Sequence, residues 1–457
     1  MHVTRRQFGG LLAAAAQPPA ERLNLLVLTN DQHRADSLAC TGNPVVKTPA
    51  VDRLAGQGVL FDSHFVQCPQ CVPSRGAMHT GRYPHTNRTP SNLYRLSDRE
   101  DTLAMILNRN GYLTATTGEL PFAPTKFLGG FQQVLPGGER MPDGFTALKQ
   151  QHAGNLKKNF QAVPAPWPEE LDETALFAGR AISFLRDNRN QPFYLHVNFR
   201  RPHHPFDPPA PFDRMYEGAR FPPSHRRDGE MKDKPPAQQK SLESSVGFDL
   251  RTMTTRDLDR IKSYYYGMIS LNDRYIGRIL DELQHLGLDR RTIVVFNADH
   301  GEMLGDHGLL FKGGYFYDEV VRVPLILRAP GLPAGKRVAD LVETVDLMPT
   351  LLQLLGLPVP ERVQGRSLLP IIAGTGRPTA AVHSEFPATK MVRTREWKLV
   401  HYVRAPYGEL YNLKEDPHEL YNRWSDPACA SAKSEMLGRL ADWLINTEDP
   451  LLAPQRA

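Results

Sequence analysis

Four short apolar runs, each the length of a buried strand, set the strongest limit on what this chain can fold into. Leu23 to Thr29 (LNLLVLT) ends at Asn30-Asp31-Gln32. Phe193 to Phe199 (FYLHVNF), Thr292 to Asn297 (TIVVFN) and Val323 to Leu327 have the same character, and Leu113 to Thr117 (LTATT) reads as a further strand. Runs of this kind suit strands covered on both faces. Between them lie segments with helical spacing. Residues 98–110 bring Leu103, Ile106 and Leu107 to one face, with Gly111 past the end. Residues 257–286 repeat the pattern through Ile261, Tyr265, Met268, Ile276, Ile279 and Leu283, with Gly287 as terminator, and Leu347 to Leu355 is a third helix. The alternation predicts an α/β fold: a large, mostly parallel sheet flanked by helices.

The final 80 or so residues change character. Lys398-Leu399-Val400 and Glu409-Leu410-Tyr411 read as short strands ahead of a helix near 431–446, a small C-terminal α+β subdomain. Residues 220–250, polar, charged and proline-containing, read as a surface excursion. At the start, Thr4-Arg5-Arg6-Gln7-Phe8 precedes a run of apolar or small residues from Gly9 to Ala16. That is the pattern of a twin-arginine export signal, and the run is too short to span a bilayer. We therefore expect a signal over 1–20, a catalytic domain over 21–375 and a subdomain over 376–457. We expect a periplasmic or secreted location and no stable membrane insertion. With 55 basic and 50 acidic residues the net charge is +5, a mild surplus and no nucleic-acid footprint. The four cysteines are too few for a disulfide-dense scaffold. Cys68-Pro69-Gln70-Cys71 matches a redox C-x-x-C, but the chain far exceeds that module and Pro73-Ser74-Arg75 follows almost at once.

In open α/β sheets, ligands bind beyond the carboxyl ends of the strands. Asp31, His203 and Asp299-His300 each follow a predicted strand, so three polar groups converge on one rim. Singly, each has a plain explanation: a helix cap for Asp31, a turn for Asp299, a rigid Pro-His-His-Pro loop for His203. Together they point to a site. Cys71-Val72-Pro73-Ser74-Arg75, followed by Thr80-Gly81-Arg82, adds a nucleophile at the opening of a helix, beside backbone donors and a cation.

That run resembles the signature of the type I sulfatases, of the alkaline phosphatase-like superfamily, whose cysteine becomes a formylglycine. Thr48 to Leu54, Gly58 to Phe61, Asp299-His300-Gly301-Glu302 with Lys312, and Glu409 to Leu413 with Asp416-Pro417 extend the likeness over nearly the whole chain. The resemblance implies a sulfate ester hydrolase. Cys71, once oxidised, would hydrate to a diol whose one hydroxyl attacks sulfur while the other releases sulfate. It implies a divalent cation on Asp31, Gln32, residue 71, Asp299 and His300, with calcium favoured over magnesium or manganese. Arg75 would orient the diol, Lys312 would contact sulfate, and His203, ahead of His204, would protonate the leaving alcohol. The implied partners are a sulfated small molecule or polysaccharide, and a formylglycine-generating enzyme for maturation. His307 reads as structural or rim-facing and not as a ligand.

Two departures stand out. Many sulfatases carry Asp-Asp after the first strand, where this chain has Asp31-Gln32. Their Gly-Lys-x-His element is replaced by Gly118-Glu119-Leu120-Pro121, with Lys126 a few residues on. Both gaps resemble the phosphonate monoester and phosphodiester hydrolases of the same superfamily, which form the alternative reading. A non-catalytic binder of sulfated glycans and a thiol-redox protein complete the set of classes.

Overall fold

The computed structural model describes residues 22–119, 128–135 and 145–448. The arginine-led leader and Leu120, Pro121 and Lys126 lie outside the described residues. Eight strands form the main sheet: β1 (Asn24–Asp31), β2 (Val59–Phe65), β3 (Leu113–Gly118), β4 (Gln133–Val134), β5 (Phe193–Pro202), β6 (Thr292–Ala298), β7 (Arg322–Arg328) and β8 (Lys336–Glu343). Their order is β4-β3-β5-β1-β6-β7-β2-β8. β1 lies near the centre, parallel to β5 and β6. Its side chains alternate between two cores. Leu26 and Leu28 join Leu195, Val197, Phe296, Leu271 and Ile276 on one face; Leu25 and Val27 join Ile293, Val295, Leu107 and Leu351 on the other. Burial on both faces is why this strand reads as an unbroken apolar run.

β7 departs from the parallel expectation, running antiparallel to both β6 and β2. The physical reason is the connection. A parallel neighbour needs a crossover back to the starting edge. Here the chain leaves β6 at the carboxyl rim, makes a long loop there and re-enters through the short helix Asp318–Val321. That loop stays on the functional rim and carries Lys312.

Helix Thr255–His285 is longest, opened by a capping box in which Thr254 and Asp257 exchange side-chain and backbone bonds. The helix expected over 98–110 starts only at Leu103, because Thr102 accepts the Met105 N–H and caps it there. Helices Pro49–Gln57 and Glu173–Asp187, and strands β2 and β8, are further elements of the main layer.

A second sheet, antiparallel, runs β12-β11-β10-β9: β9 (Val382–Phe386), β10 (Thr389–Arg393), β11 (Trp397–Tyr402) and β12 (Gly408–Asn412). Val392, Leu399 and Leu410 pack between Ala77 and Tyr83 of the main body and Met436, Leu440 and Trp443 of the terminal helix Ala430–Asn446. The 220–250 excursion is partly inserted here. Lys234 is buried and donates to Tyr411 Oη at 3.0 Å and to the Glu419 carbonyl at 2.6 Å, and Gln238 donates to Glu409.

Candidate active site

Asp31 ends β1, and Asp299 and His300 follow β6 directly, so parallel pairing of the two strands brings these acids together. Cys71 is the first residue of helix Cys71–Thr80, and Arg75 lies one turn further on the same helix. Arg75 is 1 % exposed despite its charge. Its Nε donates to Asp299 Oδ2 and its terminal nitrogen to Asp31 Oδ2, each at 2.8 Å. A buried guanidinium is tolerable only with such partners. By engaging the two Oδ2 atoms, Arg75 leaves both Oδ1 atoms facing the space beside Cys71 and His300. Burial works against the charged form of Asp299, but the positive groups around it, Arg75 and Lys312 among them, outweigh it and hold the carboxyl well below its usual range.

Asp31, Cys71, Asp299 and His300 present donor atoms that all lie within 4.8 Å of one another. His300 Nδ1 is 2.9 Å from the Gly301 carbonyl, to which it donates, so Nε2 keeps its lone pair for the site. Burial, then Lys312, lowers the His300 pKa and keeps the ring neutral. Gln32 adopts φ 65°, a left-handed conformation costly for a side chain of this size. Two bonds hold it: its N–H donates to Asp299 Oδ1 at 3.1 Å, and Tyr265 Oη donates to its carbonyl at 2.7 Å. The Gln32 side-chain N–H₂ donates to Glu302, and its Oε1 is buried with no hydrogen-bond partner. Two carboxylates and an imidazole within 4.8 Å, with the unpartnered carbonyl oxygen of the residue next to Asp31, are donors of the kind a divalent cation takes. The residues therefore fit the metal that the resemblance implies.

Lys312 completes the cluster. Its Nζ donates to Cys71 Sγ at 2.9 Å and to His300 Nε2 at 2.8 Å, and lies 3.8 Å from Asp31 Oδ1. Glu302 aims it. The Glu302 carboxylate receives the Leu304 N–H at 3.0 Å and the Phe311 N–H, pinning both ends of the loop that delivers Lys312. Cys71 Sγ sits 3.3 Å from His300 Nε2 and 4.0 Å from Asp31 Oδ1. Burial, then Asp31, pushes this thiol up to about 12 despite Lys312, so it stays protonated at neutral pH. All four cysteines are free.

His203 and His204 stack at 4.1 Å between ring centroids. His203 Nδ1 donates to the His204 carbonyl, and His204 Nδ1 accepts from the Gln32 amide at 3.2 Å. His203 lines a cavity of about 160 Å³ with Lys149, His152, Trp167, Arg200 and Arg201. A larger cavity, about 600 Å³, lies elsewhere, between Glu343, Arg362 and Trp443, and contains none of these groups. Glu119, which stands where a lysine was looked for, is near the site: withdrawal from water, then Asp31, raises its carboxyl against the pull of Arg75 and Arg200. His307 is structural, as expected, paired with Glu230 and stacked at 3.7 Å on Tyr317. Glu302 and Tyr265 were missed as positioning residues. Glu302 stood in the Asp-His-Gly-Glu motif, but nothing in sequence linked Tyr265, one aromatic among several on its helix, to Gln32.

The family model described as Sulfatase matches residues 23–357, and that described as N-sulphoglucosamine sulphohydrolase, C-terminal, matches residues 305–445. The chain is 28 % identical to the multifunctional alkaline phosphatase superfamily protein PehA of Trinickia caryophylli, covering 95 % of this chain and 98 % of that protein. It is also 28 % identical to an arylsulfatase of Clostridium perfringens, over 87 % of this chain and 89 % of the relative. Among solved structures, the phosphonate monoester hydrolase of Agrobacterium radiobacter superposes with a TM-score of 0.82 at 29 % identity, covering 94 % of this chain and 97 % of that one.

Proposed function

Because the chain belongs to the sulfatase family, we propose that it hydrolyses sulfate esters using Cys71 as the precursor of a formylglycine. One observation carries this reading: the side chain at position 71 stands at the centre of the cluster, its sulfur 2.9 Å from Lys312 Nζ, 3.3 Å from His300 Nε2 and 4.0 Å from Asp31 Oδ1. Burial, then Asp31, pushes the thiol up, the opposite of how a cysteine that works as a thiolate is tuned, which suits a side chain that is to be converted. Once converted and hydrated, residue 71 would supply two hydroxyls, one to attack sulfur as the alcohol leaves and the other to ionise and expel sulfate.

Asp31, Gln32, residue 71, Asp299 and His300 would hold a divalent cation, calcium first and magnesium or manganese next. Bound there, it supplies Lewis acidity toward the sulfate oxygens and the nucleophile. The chain's own residues do the rest. Arg75 fixes the two aspartates. Lys312 donates to a sulfate oxygen from where it now contacts Sγ. His203, held neutral in the resting site by burial and then by Lys312, gains proton affinity when the anionic ester enters, takes up a proton from solvent, and passes that proton to the leaving oxygen. Mass spectrometry of the peptide containing residue 71 tests the reading: an aldehyde is expected in active protein. Turnover of nitrophenyl sulfate should vanish in Cys71→Ala, and native protein that is active with an intact thiol refutes the assignment.

A second reading has its own support, the Asp31-Gln32 pair together with the likeness to the Agrobacterium hydrolase. It makes the chain a phosphonate monoester or phosphodiester hydrolase on the same cluster. Relative kcat/KM for nitrophenyl sulfate and for a phenyl phosphonate monoester separates the two. For the substrate we favour a sulfated small molecule or polysaccharide, and for maturation a formylglycine-generating enzyme. The twin-arginine segment supports export to the periplasm or beyond, with the catalytic domain taken as 21–375 and the subdomain as 376–457. No described helix is long and apolar enough to cross a membrane.

A further inference from the structure

Away from the reaction centre, three chain segments bring His225, Glu319 and His418 together, with donor atoms all within 4.8 Å of one another. We propose that these three residues bind a transition-metal ion, zinc by preference, as a second and structural metal site.

The residues come from three different places: the 220–250 excursion, the short helix Asp318–Val321 and the turn after β12. Two of the donor groups are unsatisfied. Glu319 Oε2 and His225 Nδ1 are buried without hydrogen-bond partners, the nearest charge to the latter being Asp306 Oδ1 at 3.7 Å. Arg34, close enough to act on Glu319, is already paired with Asp36 and Asp306. Two imidazoles and one carboxylate, with a fourth position for water, form a zinc-type donor set; calcium and magnesium ask for oxygen.

The His225 and His418 rings stack with centroids 3.4 Å apart. A cation about 2.0–2.1 Å from each nitrogen requires the rings to turn edge-on towards it, and exposed His418 has room to do so. The backbone around His225 and Glu319 is already fixed. The His225 N–H donates to Asp306 Oδ1 and its carbonyl accepts the His307 N–H, each at 2.7 Å. The Glu319 carbonyl accepts the Glu302 N–H at 3.1 Å. A bound ion would thus tie the C-terminal subdomain to the loop that positions His300 and Lys312.

Zinc chloride alone, added to the full chain in equilibrium dialysis with elemental analysis, is the test. The wild type should bind one equivalent more than His418→Ala, whatever the reaction centre takes up. Zinc should raise the wild-type Tm, and that rise should disappear in His418→Ala and in the isosteric Glu319→Gln, with affinity at this site weakened at least 30-fold. His418 is exposed, so its removal takes away little packing beyond the ring contact with His225. Equal zinc stoichiometry and affinity in the wild type and both variants, or no uptake by the wild type, overturns the proposal.

Discussion

At the scale of single residues, the site depends on one buried guanidinium shared by two acids. Arg75→Lys keeps the charge but loses the planar fork that reaches both Oδ2 atoms. We expect kcat/KM on nitrophenyl sulfate to fall about 10²–10³-fold, while Arg75→Ala costs about 3–5 kcal/mol in urea denaturation by leaving two acids unpaired. The depressed Asp299 carboxyl also predicts a pH effect. Its stabilising contribution is present above the unfolded-state value of about 3.9 and is lost as pH falls through the lower folded value. Glu302 acts one step back. A carboxylate only accepts, so it draws the Gln32 N–H₂ toward itself and leaves the carbonyl oxygen on the other side of the amide, without a partner. Glu302→Gln removes that constraint, and calcium affinity measured by titration should weaken about 10–100-fold with little change in fold.

At the scale of elements, two joints hold the layers in register. Gly118 ends β3 at φ 94°, and a Cβ there would stand 1.9 Å from the Asn198 carbonyl of β5. Gly118→Ala should therefore cost at least about 1–3 kcal/mol in chemical denaturation, through strain and sheet distortion. The second joint is Glu343 at the end of β8. It accepts the His383 N–H of β9 at 2.8 Å, Tyr83 Oη at 2.8 Å and the Gln67 amide at 3.3 Å. Burial, then Asp346, raises its carboxyl above the ordinary range. A raised carboxyl contributes stability that is complete below its unfolded value of about 4.3 and is lost as pH rises through the folded value. Melting temperature should thus decline from mildly acidic to alkaline pH, and Glu343→Gln should flatten the decline.

At the scale of the whole molecule, the small sheet is packed into the main body through a continuous apolar seam. Trp443 lies 5.1 Å from Tyr83 and stacks at 4.7 Å on His383, beside the cluster that contains Ala77 of the nucleophile helix. Trp443→Ala should cost about 3–5 kcal/mol. Because the seam is shared, loss of activity and loss of tryptophan fluorescence should still follow one transition on heating; separated transitions would show that the two layers unfold independently.

Strands buried on both faces were legible because their apolar runs are unbroken, and the acids at their ends followed from where parallel strands finish. β8 (KRVADLVE) was not, since only part of it is covered and its pattern is mixed. Local order thus determined the α/β class, the central strands and the rim that bears Asp31, Asp299 and His300, because a strand's burial and direction are written in consecutive residues. Which oxygen of each acid faces the cleft, how Glu302 aims Lys312, and the meeting of His225, Glu319 and His418 were decided by tertiary structure alone. Those relations join residues up to hundreds of positions apart, and only packing sets the distances between them.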